Sequence, residues 1–409
     1  MAGLKYWVWL TTAEGLSAES RRALLGHFAS PEDVYYAQPA DALQIEGFWP
    51  EQAALLEHKS LDRAEMILEQ CARKDLFLLT WQDAAYPDRL RNIYDAPLLL
   101  YGKGAMPLFD EEAAVAVVGT RDCTPYGVHT AESLGYEMAR EGALVVSGMA
   151  KGIDGAAHRG ALRAGGLTAA VLGCGVDVIY PAANHRLYED IAATGVLLSE
   201  YPPGTEPFAR NFPSRNRIIS GLSLAAVVVE APARSGALIT AETALEQGRD
   251  VFAVPGPVGA EQSVGCNRLI RDGAGLVTEG WDVLREYQAR FPHRLRRDGR
   301  RLPDLPEESG APRTEEAPEK EKKTETEKAV PPAPKLPQLD VRRNKEGLTD
   351  DQISVLRVLD VSAPMVTDDV AIACDLPMRR VLSALTMLEI DGYIRKQGAR
   401  AFLRTVEIV

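Results

Sequence analysis

Positive charge is scarce in this chain, and lysine is scarcer still. Its 409 residues carry 46 Lys and Arg against 58 Asp and Glu, a formal net charge of −12. That balance excludes a blanket of basic surface, so any contact with nucleic acid must rest on a local cluster of cations. Lys151 is the single lysine between Lys103 and Lys320. The five cysteines (Cys71, Cys123, Cys174, Cys266, Cys374) are scattered and odd in number, with no CxxC and no metal-type pairing with histidine. Reduced thiols in a cytoplasmic protein are expected, with neither a disulfide framework nor a metal site. No apolar run reaches the roughly 20 residues of a membrane span, and MAGLKYWVWL lacks the cleavage pattern of a signal peptide. His129, His158 and His185 fall in separate helical stretches, and no nucleophile lies beside one of them. No GxGxxG opens the first strand–helix unit, so no dinucleotide cofactor is expected.

What is present is enough for two or three domains, since 46% of the residues are hydrophobic. Residues 1–75 read as short helices, a small helical domain like SAM or helix-hairpin-helix modules around Ile45, Glu46 and Gly47, or a bundle that only packs. The predicted helices there include Ser17–Phe28, with a capping start, Asp41–Ile45, Pro50–His58 and Asp62–Lys74. Between residues 76 and 290, short β-branched runs alternate with helical stretches: Ala114–Val118, Ala143–Val146, Leu167–Leu172, Val196–Leu198, Ala225–Val229, Val251–Val254 and Gly275–Val277. Continuous apolar runs joined by helices predict a Rossmann-like, doubly wound α/β domain with a mostly parallel sheet, whose ligands sit beyond the carboxyl ends of the strands. Residues 291–345 turn to Arg, then to Glu, Lys and Pro, and read as a disordered linker. Within it Arg294–Arg301 is a basic run, either solvated or touching DNA. Residues 346–409 predict three helices and a terminal hairpin, a winged-helix layout, with helices starting at Thr349, Thr367 and Pro377. Arg379 and Arg380 are the cations near the start of its third helix, and acidic residues outnumber basic ones. A protein contact is therefore as well founded as groove reading.

Five loops carry the candidate chemistry. Lys151 lies in SGMAKGID, after an apolar run and before a helix, where freed N–H groups and the positive helix end attract an anion. The other reading is a solvated lysine in an ordinary loop. Arg121 follows the strand AVAVVG and is the residue placed on a phosphate there. GCGVDVIYPAANH permits a tight turn, with Asn184 able to begin a helix; glycine pairs after strands are common, and a purely structural turn is the simpler reading. In Ser199–Ser223, Arg210, Arg215 and Arg217 interleave with Phe208 and Phe212. Guanidinium groups grip phosphate oxygens and an aromatic ring offers a platform for an unstacked base. Otherwise, one phenylalanine joins the core and one arginine pairs with Glu200 or Glu206. Ser235 and Gly236 open a further helix after a buried strand, another anion-accepting helix start, and Asn267 either adds a polar contact there or caps the helix that follows it.

GTRDCTPYG, SGMAKGID, GCGVDVIYPAANH, FPSRNRIISGLS, EAPARSGALITAETALEQGRDVFAVPG and GCNRLIRDGA occur here in that order. Over about residues 80–290 the chain resembles the DNA processing protein A (DprA, Smf) family, with YPDRLRNIYDAPLLLYGKG similar to that family's lead-in. The resemblance implies a protein that binds and protects single-stranded DNA during natural transformation. It further implies help in loading the RecA recombinase onto DNA coated by single-strand binding protein, and a homodimer formed through the α/β domain. By the same resemblance the DNA-binding positions are Arg121, Ser147, Gly148, Lys151, Arg215, Asn216 and Arg217, with Ser235 and Gly236 beside them; Phe212 is added from the aromatic spacing. These positions are expected to form one cationic rim, with no catalytic residue, cofactor or metal. The alternative is a nucleotide phosphoribohydrolase related to the lysine-decarboxylase-like family. ARSGALITAE, ending in Glu242, echoes the helix start of that family without its double glycine.

Overall fold

In β3 (Ala114–Val118), Ala114, Ala116 and Val118 join one apolar layer while Val115 and Val117 join the other, as the two-residue period of a strand requires. The strand is buried on both faces because helices cover both, which is why its sequence shows no polar alternation. The structure, a computed structural model, describes residues 3–57, 59–297, 338–339, 348–361, 365–374, 376–390, 393–397 and 401–408. The chain divides into two units, Met1–Gly310 and Ala311–Val409.

In the first unit β3 sits inside a nine-stranded sheet. The order is β1 (Phe77–Thr80), β2 (Leu99–Gly104), β6 (Val196–Ser199), β5 (Thr168–Leu172), β4 (Leu144–Ser147), β3, β7 (Ala225–Val228), β8 (Asp250–Ala253), β9 (Gly275–Leu276). From β6 to β9 all pairings are parallel, whereas β2 runs antiparallel to both β6 and β1. The predicted strands are therefore found, and β1 and β2 extend the sheet with a hairpin-like edge that the apolar runs at Leu76 and Leu98 did not distinguish from lead-in. The chain moves outward from β3 to β6, then returns to pair β7 with the other side of β3. The sheet is thus doubly wound, and its strand order reverses between β3 and β7.

Helices α8 (Pro125–Arg140), α9 (Ile153–Arg163) and α14 (Trp281–Leu284) pack on the face of Val115 and Val117, and α11 (Asn211–Gly221) and α12 (Gly236–Glu246) on the other. Thr124 caps α8 by accepting from Gly127 N at 3.2 Å, and Pro125 occupies the first turn, where no N–H is needed. Helices α10 (His185–Thr194) and α13 (Val264–Arg271) complete the crossovers. Asn267 lies within α13 rather than at its cap, and its amide exchanges two hydrogen bonds with the Gly256 backbone, at 3.0 and 3.2 Å.

The N-terminal segment forms α1 (Leu4–Thr12), α2 (Ala18–His27), α3 (Pro31–Tyr36), α4 (Pro39–Ala42), α5 (Pro50–Ala54), α6 (Asp62–Arg73) and, after β1, α7 (Asp88–Arg91). Ser17 caps α2 by accepting from Ser20 N at 3.0 Å. Around Ile45–Gly47 there are only the single-turn helices α4 and α5. Val8, Leu10, Leu24, Ile67 and Cys71 share one apolar cluster with Leu99, Tyr101, Leu172 and Leu197 of the sheet, so these helices close over its β2–β6–β5 side. At the other end, Phe291 and Leu295 are buried in the main core and Arg294 pairs with Glu112 at 3.1 Å. Packing continues past residue 291, the linker's expected start. Residues 298–337 and 340–347 lie outside the described residues, as does the end of the basic run.

The second unit carries α15 (Asp350–Val358), α16 (Thr367–Cys374) and α17 (Met378–Ile390) against a three-stranded sheet of β11 (Met365–Val366), β13 (Ala401–Arg404) and β12 (Ile394–Gln397). Short β10 (Gln338–Leu339) and β14 (Glu407–Ile408) pair in parallel. Val355, Leu356, Val381, Leu385, Leu388 and Ile394 form its core, and the layout is a winged helix. Arg380 is engaged bidentately by Asp351, at 2.6 and 2.8 Å.

His158 on α9 is fully buried, its Nδ1 2.6 Å from Thr168 Oγ1, and burial pushes its pKa down to about 3. The unfolded chain binds a proton below the ordinary value near 6.5 that the folded chain refuses, so stability is complete above that pH and falls as pH drops toward 3. Between pH 7 and 5.5 this residue is expected to cost about 1.2 kcal/mol. Urea unfolding of the protein and of His158→Gln at both pH values checks this, and an equal pH response in the two would refute it.

Candidate nucleic-acid interface

The reversal of strand order between β3 and β7 leaves a crevice at their carboxyl ends, where loops from several crossovers converge. There the loops after β3 and β4 interlock. Gly152 adopts φ +79°, and a Cβ on it would collide with the Thr120 and Arg121 carbonyls. Only a glycine permits this approach, and it brings Arg121 beside Lys151. Both side chains line a cleft of about 250 Å³ with Gly148, Gly173, Tyr180 and Phe212. Arg121, Tyr180 and Phe212 also line an adjoining cleft of about 540 Å³, with Asp122, Arg215, Asn216, Arg234, Ser235 and Gly236. The two clefts meet at the Phe212 ring.

Lys151 is exposed and no described residue pairs with its ammonium. Arg121 is exposed too, with its guanidinium 4.8 Å from the Phe212 ring centroid and no ion pair among the described residues. Arg234, in the same loop as Ser235, is a third exposed cation with no ion pair among the described residues. Sequence reasoning quoted the segment without singling it out, although an arginine just before a helix-opening Ser-Gly was the available signal. These side chains can meet phosphate oxygens without first surrendering an internal partner.

The backbone at SGMAKGID behaves differently from expectation. Asp154, buried in the first turn of α9, places its carboxylate on the N–H groups of Ala150 and Gly148. The anion-accepting turn is therefore filled from within, and Lys151 contributes its ammonium alone. Ser147 is fully buried and donates to Val117 O at 2.6 Å, so its hydroxyl faces the sheet and not the clefts.

The two arginines of SRNR part company. Arg215 is 4% exposed, and its Nη1 donates to Gly148 O at 2.7 Å and to Val171 O. A Cβ at residue 148 would strike this guanidinium, which is the physical reason for glycine there. Burial lowers the Arg215 pKa and raises that of Asp154, while each charge opposes the shift of the other. Arg215 thus holds the floor of the larger cleft, its Nε donating to Asn216 Oδ1 at 3.2 Å. Arg217 is 8% exposed and grips both Glu200 oxygens, at 2.8 and 2.9 Å. Its Nε lies 2.6 Å from Asp95 Oδ2 as an ion pair without hydrogen-bond alignment. Burial works against its charge, but the two carboxylates prevail and hold its pKa up. The expected rim of Arg121, Lys151 and Arg217 is corrected accordingly: Arg217 lines neither cleft. Residues 215 and 217 lie on one helix, and two positions at 3.6 residues per turn are separated by about 200°. Phe212, Arg215, Asn216 and Ile219, spaced three and four apart, form the face that lines the larger cleft.

Ser235 caps α12 by accepting from Ala237 N at 3.3 Å, and Gly236 is exposed at the cleft edge. Arg210 and Phe208 are exposed and contact one another, at 5.2 Å, outside both clefts. Asn184, expected to begin a helix, immediately precedes α10 and donates to the Met149 and Ala150 carbonyls at 2.9 and 3.3 Å, joining the loops after β5 and β4. Glu242 is exposed on α12 and lines neither cleft.

Because Glu200 and Asp95 lose their counter-charge, Arg217→Met is expected to lower stability by about 1–3 kcal/mol, the partial exposure of both carboxylates moderating the loss. Arg121→Ala is expected to change stability by less than about 0.5 kcal/mol. Denaturant midpoints of the two variants measure the contrast, and equal losses would contradict the assignment of Arg217 to the scaffold.

The family model for DNA recombination-mediator protein A matches residues 77–288, and one for the DprA winged helix domain matches residues 331–399. The DNA processing protein DprA of Streptococcus pneumoniae is 50% identical over 206 residues, covering 50% of this chain and 72% of the relative. The DNA processing protein DprA of Bacillus subtilis is 44% identical over 205 residues, covering 50% and 69%. The X-ray structure of DNA processing protein A from Streptococcus pneumoniae superposes with a TM-score of 0.62 at 39% identity, over 69% of this chain and 97% of that one. Among the described residues no helix is long and apolar enough to cross a membrane. With its family model matching residues 77–288, more than half of the chain, and a relative 50% identical covered over 72% of its length, the chain belongs to the DNA recombination-mediator protein A family.

Proposed function

We propose that the strand-end groove binds single-stranded DNA, and that the protein protects the strand and passes it to the RecA recombinase without making or breaking a bond in it. The observation that carries this reading is the pairing of Arg121 with Lys151. Two unpaired cations on interlocked loops flank a partly exposed aromatic ring, Phe212. Phosphates along a strand meet the cations while a base meets the ring, the combination that suits unpaired nucleic acid. A duplex, its bases stacked inside, offers no face to Phe212. The net charge of −12 leaves the attraction local to this groove. The same proposal includes the handover to RecA, action on strands coated by single-strand binding protein, assembly as a homodimer and a cytoplasmic setting in natural transformation, each supported by the resemblance to the family.

Labelled oligonucleotides titrated over a salt series test it. Single strands are expected to bind more tightly than duplex of the same sequence, and affinity should fall as salt rises. Lys151→Ala and Arg121→Ala should each weaken binding to all sequences alike and reduce the salt slope by about 0.7, the value for one single-strand phosphate contact. Arg217→Met should leave affinity unchanged. Unaltered affinity in both Lys151→Ala and Arg121→Ala would overturn the groove, and release of free base from nucleoside monophosphates would replace it with the phosphoribohydrolase reading.

A further inference from the structure

We infer that Tyr180 is a second base platform, set at an angle to Phe212, and that the groove therefore favours strands whose neighbouring bases are easily unstacked. The inference rests on the single-strand reading and deepens it. Tyr180 lines both clefts and is 40% exposed. Its hydroxyl has no hydrogen-bond partner among the described residues, so no polar contact holds the ring at the surface. Its ring centroid lies 5.7 Å from that of Phe212, with the planes inclined at 36°.

That geometry limits how bases can be accommodated. A base sandwiched between two parallel rings needs about 7 Å between them, two stacking distances; 5.7 Å with a 36° tilt leaves no such slot. The rings instead present two inclined surfaces, and a base taken on Phe212 shares that ring with the Arg121 guanidinium, 4.8 Å from its centroid. Two successive bases resting on planes so inclined cannot remain parallel to each other. The strand must open a stacked step there. Such opening costs more for purine runs, whose bases stack strongly, than for thymidine runs, so the protein discriminates through strand stiffness without reading base edges.

The loop that carries Tyr180 is tied down before any strand arrives. Asn184 ties the Tyr180 loop to the Lys151 loop through the Met149 and Ala150 carbonyls. Tyr188 Oη donates to Val176 O at 2.7 Å, Ser199 Oγ donates to Cys174 O at 2.6 Å, and Asp177 accepts from Gly204 N at 2.8 Å. Opposite, a Cβ on Gly173 would come within 2.9 Å of the Phe212 ring, so glycine there lets that ring seat against the loop. The backbone of the Tyr180 loop and the seat of the Phe212 ring are thus held by contacts that do not involve the ligand.

The test uses the full chain with oligothymidylate, oligodeoxyadenylate and an oligothymidylate interrupted by abasic sites, in one buffer. The unaltered protein should bind the thymidine strand more tightly than the adenine strand. Tyr180→Ala should weaken thymidine-strand binding about tenfold, the usual effect of removing one stacked base, while Tyr180→Phe should retain affinity because only the ring face is used. Substituting a strand abasic throughout its central stretch should remove the difference between the protein and Tyr180→Ala. The inference is overturned if Tyr180→Ala binds as tightly as the unaltered protein while Lys151→Ala and Phe212→Ala bind weakly, or if the adenine strand binds as well as the thymidine strand. Failure of the unaltered protein to bind any single strand would instead overturn the groove reading itself.

Discussion

A guanidinium buried beneath the carboxyl ends of β4 and β5 fixes the geometry on which the whole crevice depends. Arg215 reaches from α11 to the carbonyls of Gly148 and Val171, with the charge of Asp154 on α9 opposing its own. An isolated charge taken out of water costs several kcal/mol, and here it is offset by carbonyl acceptors and an opposite charge. Once formed, the arrangement locks two strand ends and two helices into one register. It also demands that residue 148 be glycine, because nothing larger leaves room for the guanidinium.

This internal lattice uses up the polar groups that would otherwise be the obvious anion ligands. Asp154 occupies the N–H groups of the Lys151 turn, Arg215 faces carbonyls, and Arg217 faces Glu200 and Asp95. What remains for a ligand is a thinner layer above it: Arg121, Lys151 and Arg234, with Phe212 and Tyr180 between the clefts. The division is economical for an acidic protein. Buried cations are neutralised locally, while the few left in solvent sit where a rigid floor directs them. Asp122, exposed in the same cleft, tempers the positive field there.

The loops themselves are placed by the topology. Gly152 draws the turn after β4 against the carbonyls of the turn after β3, Asn184 ties in the turn after β5, and Ser235 caps the helix after β7. Four loops distant in sequence become neighbours because parallel strands all end on the same edge of the sheet. N-terminal helices packed over the β2–β6–β5 side stiffen the flank from which the Tyr180 loop springs, with Lys74 paired to Asp177 of that loop.

Local order was set by the sequence alone, because it rests on short-range rules. Apolar runs of β3 to β7 specify doubly buried strands, Ser17, Thr124 and Thr349 cap helices through hydroxyls three residues from their targets, and the spacing of residues 349–404 specifies a winged helix. The strand-end placement of Arg121 and Lys151 followed from the same patterns. The fate of each charge did not. Residues 211–221 read as part of a loop in the sequence, although a proline such as Pro213 in the first turn of a helix is tolerated, and without that helix the opposite facing of Arg215 and Arg217 was hidden. Whether a cation meets solvent or a carboxylate is decided by which distant residues pack beside it, as Glu200 and Asp95 do for Arg217. That is a property of tertiary contacts, and no local pattern encodes it.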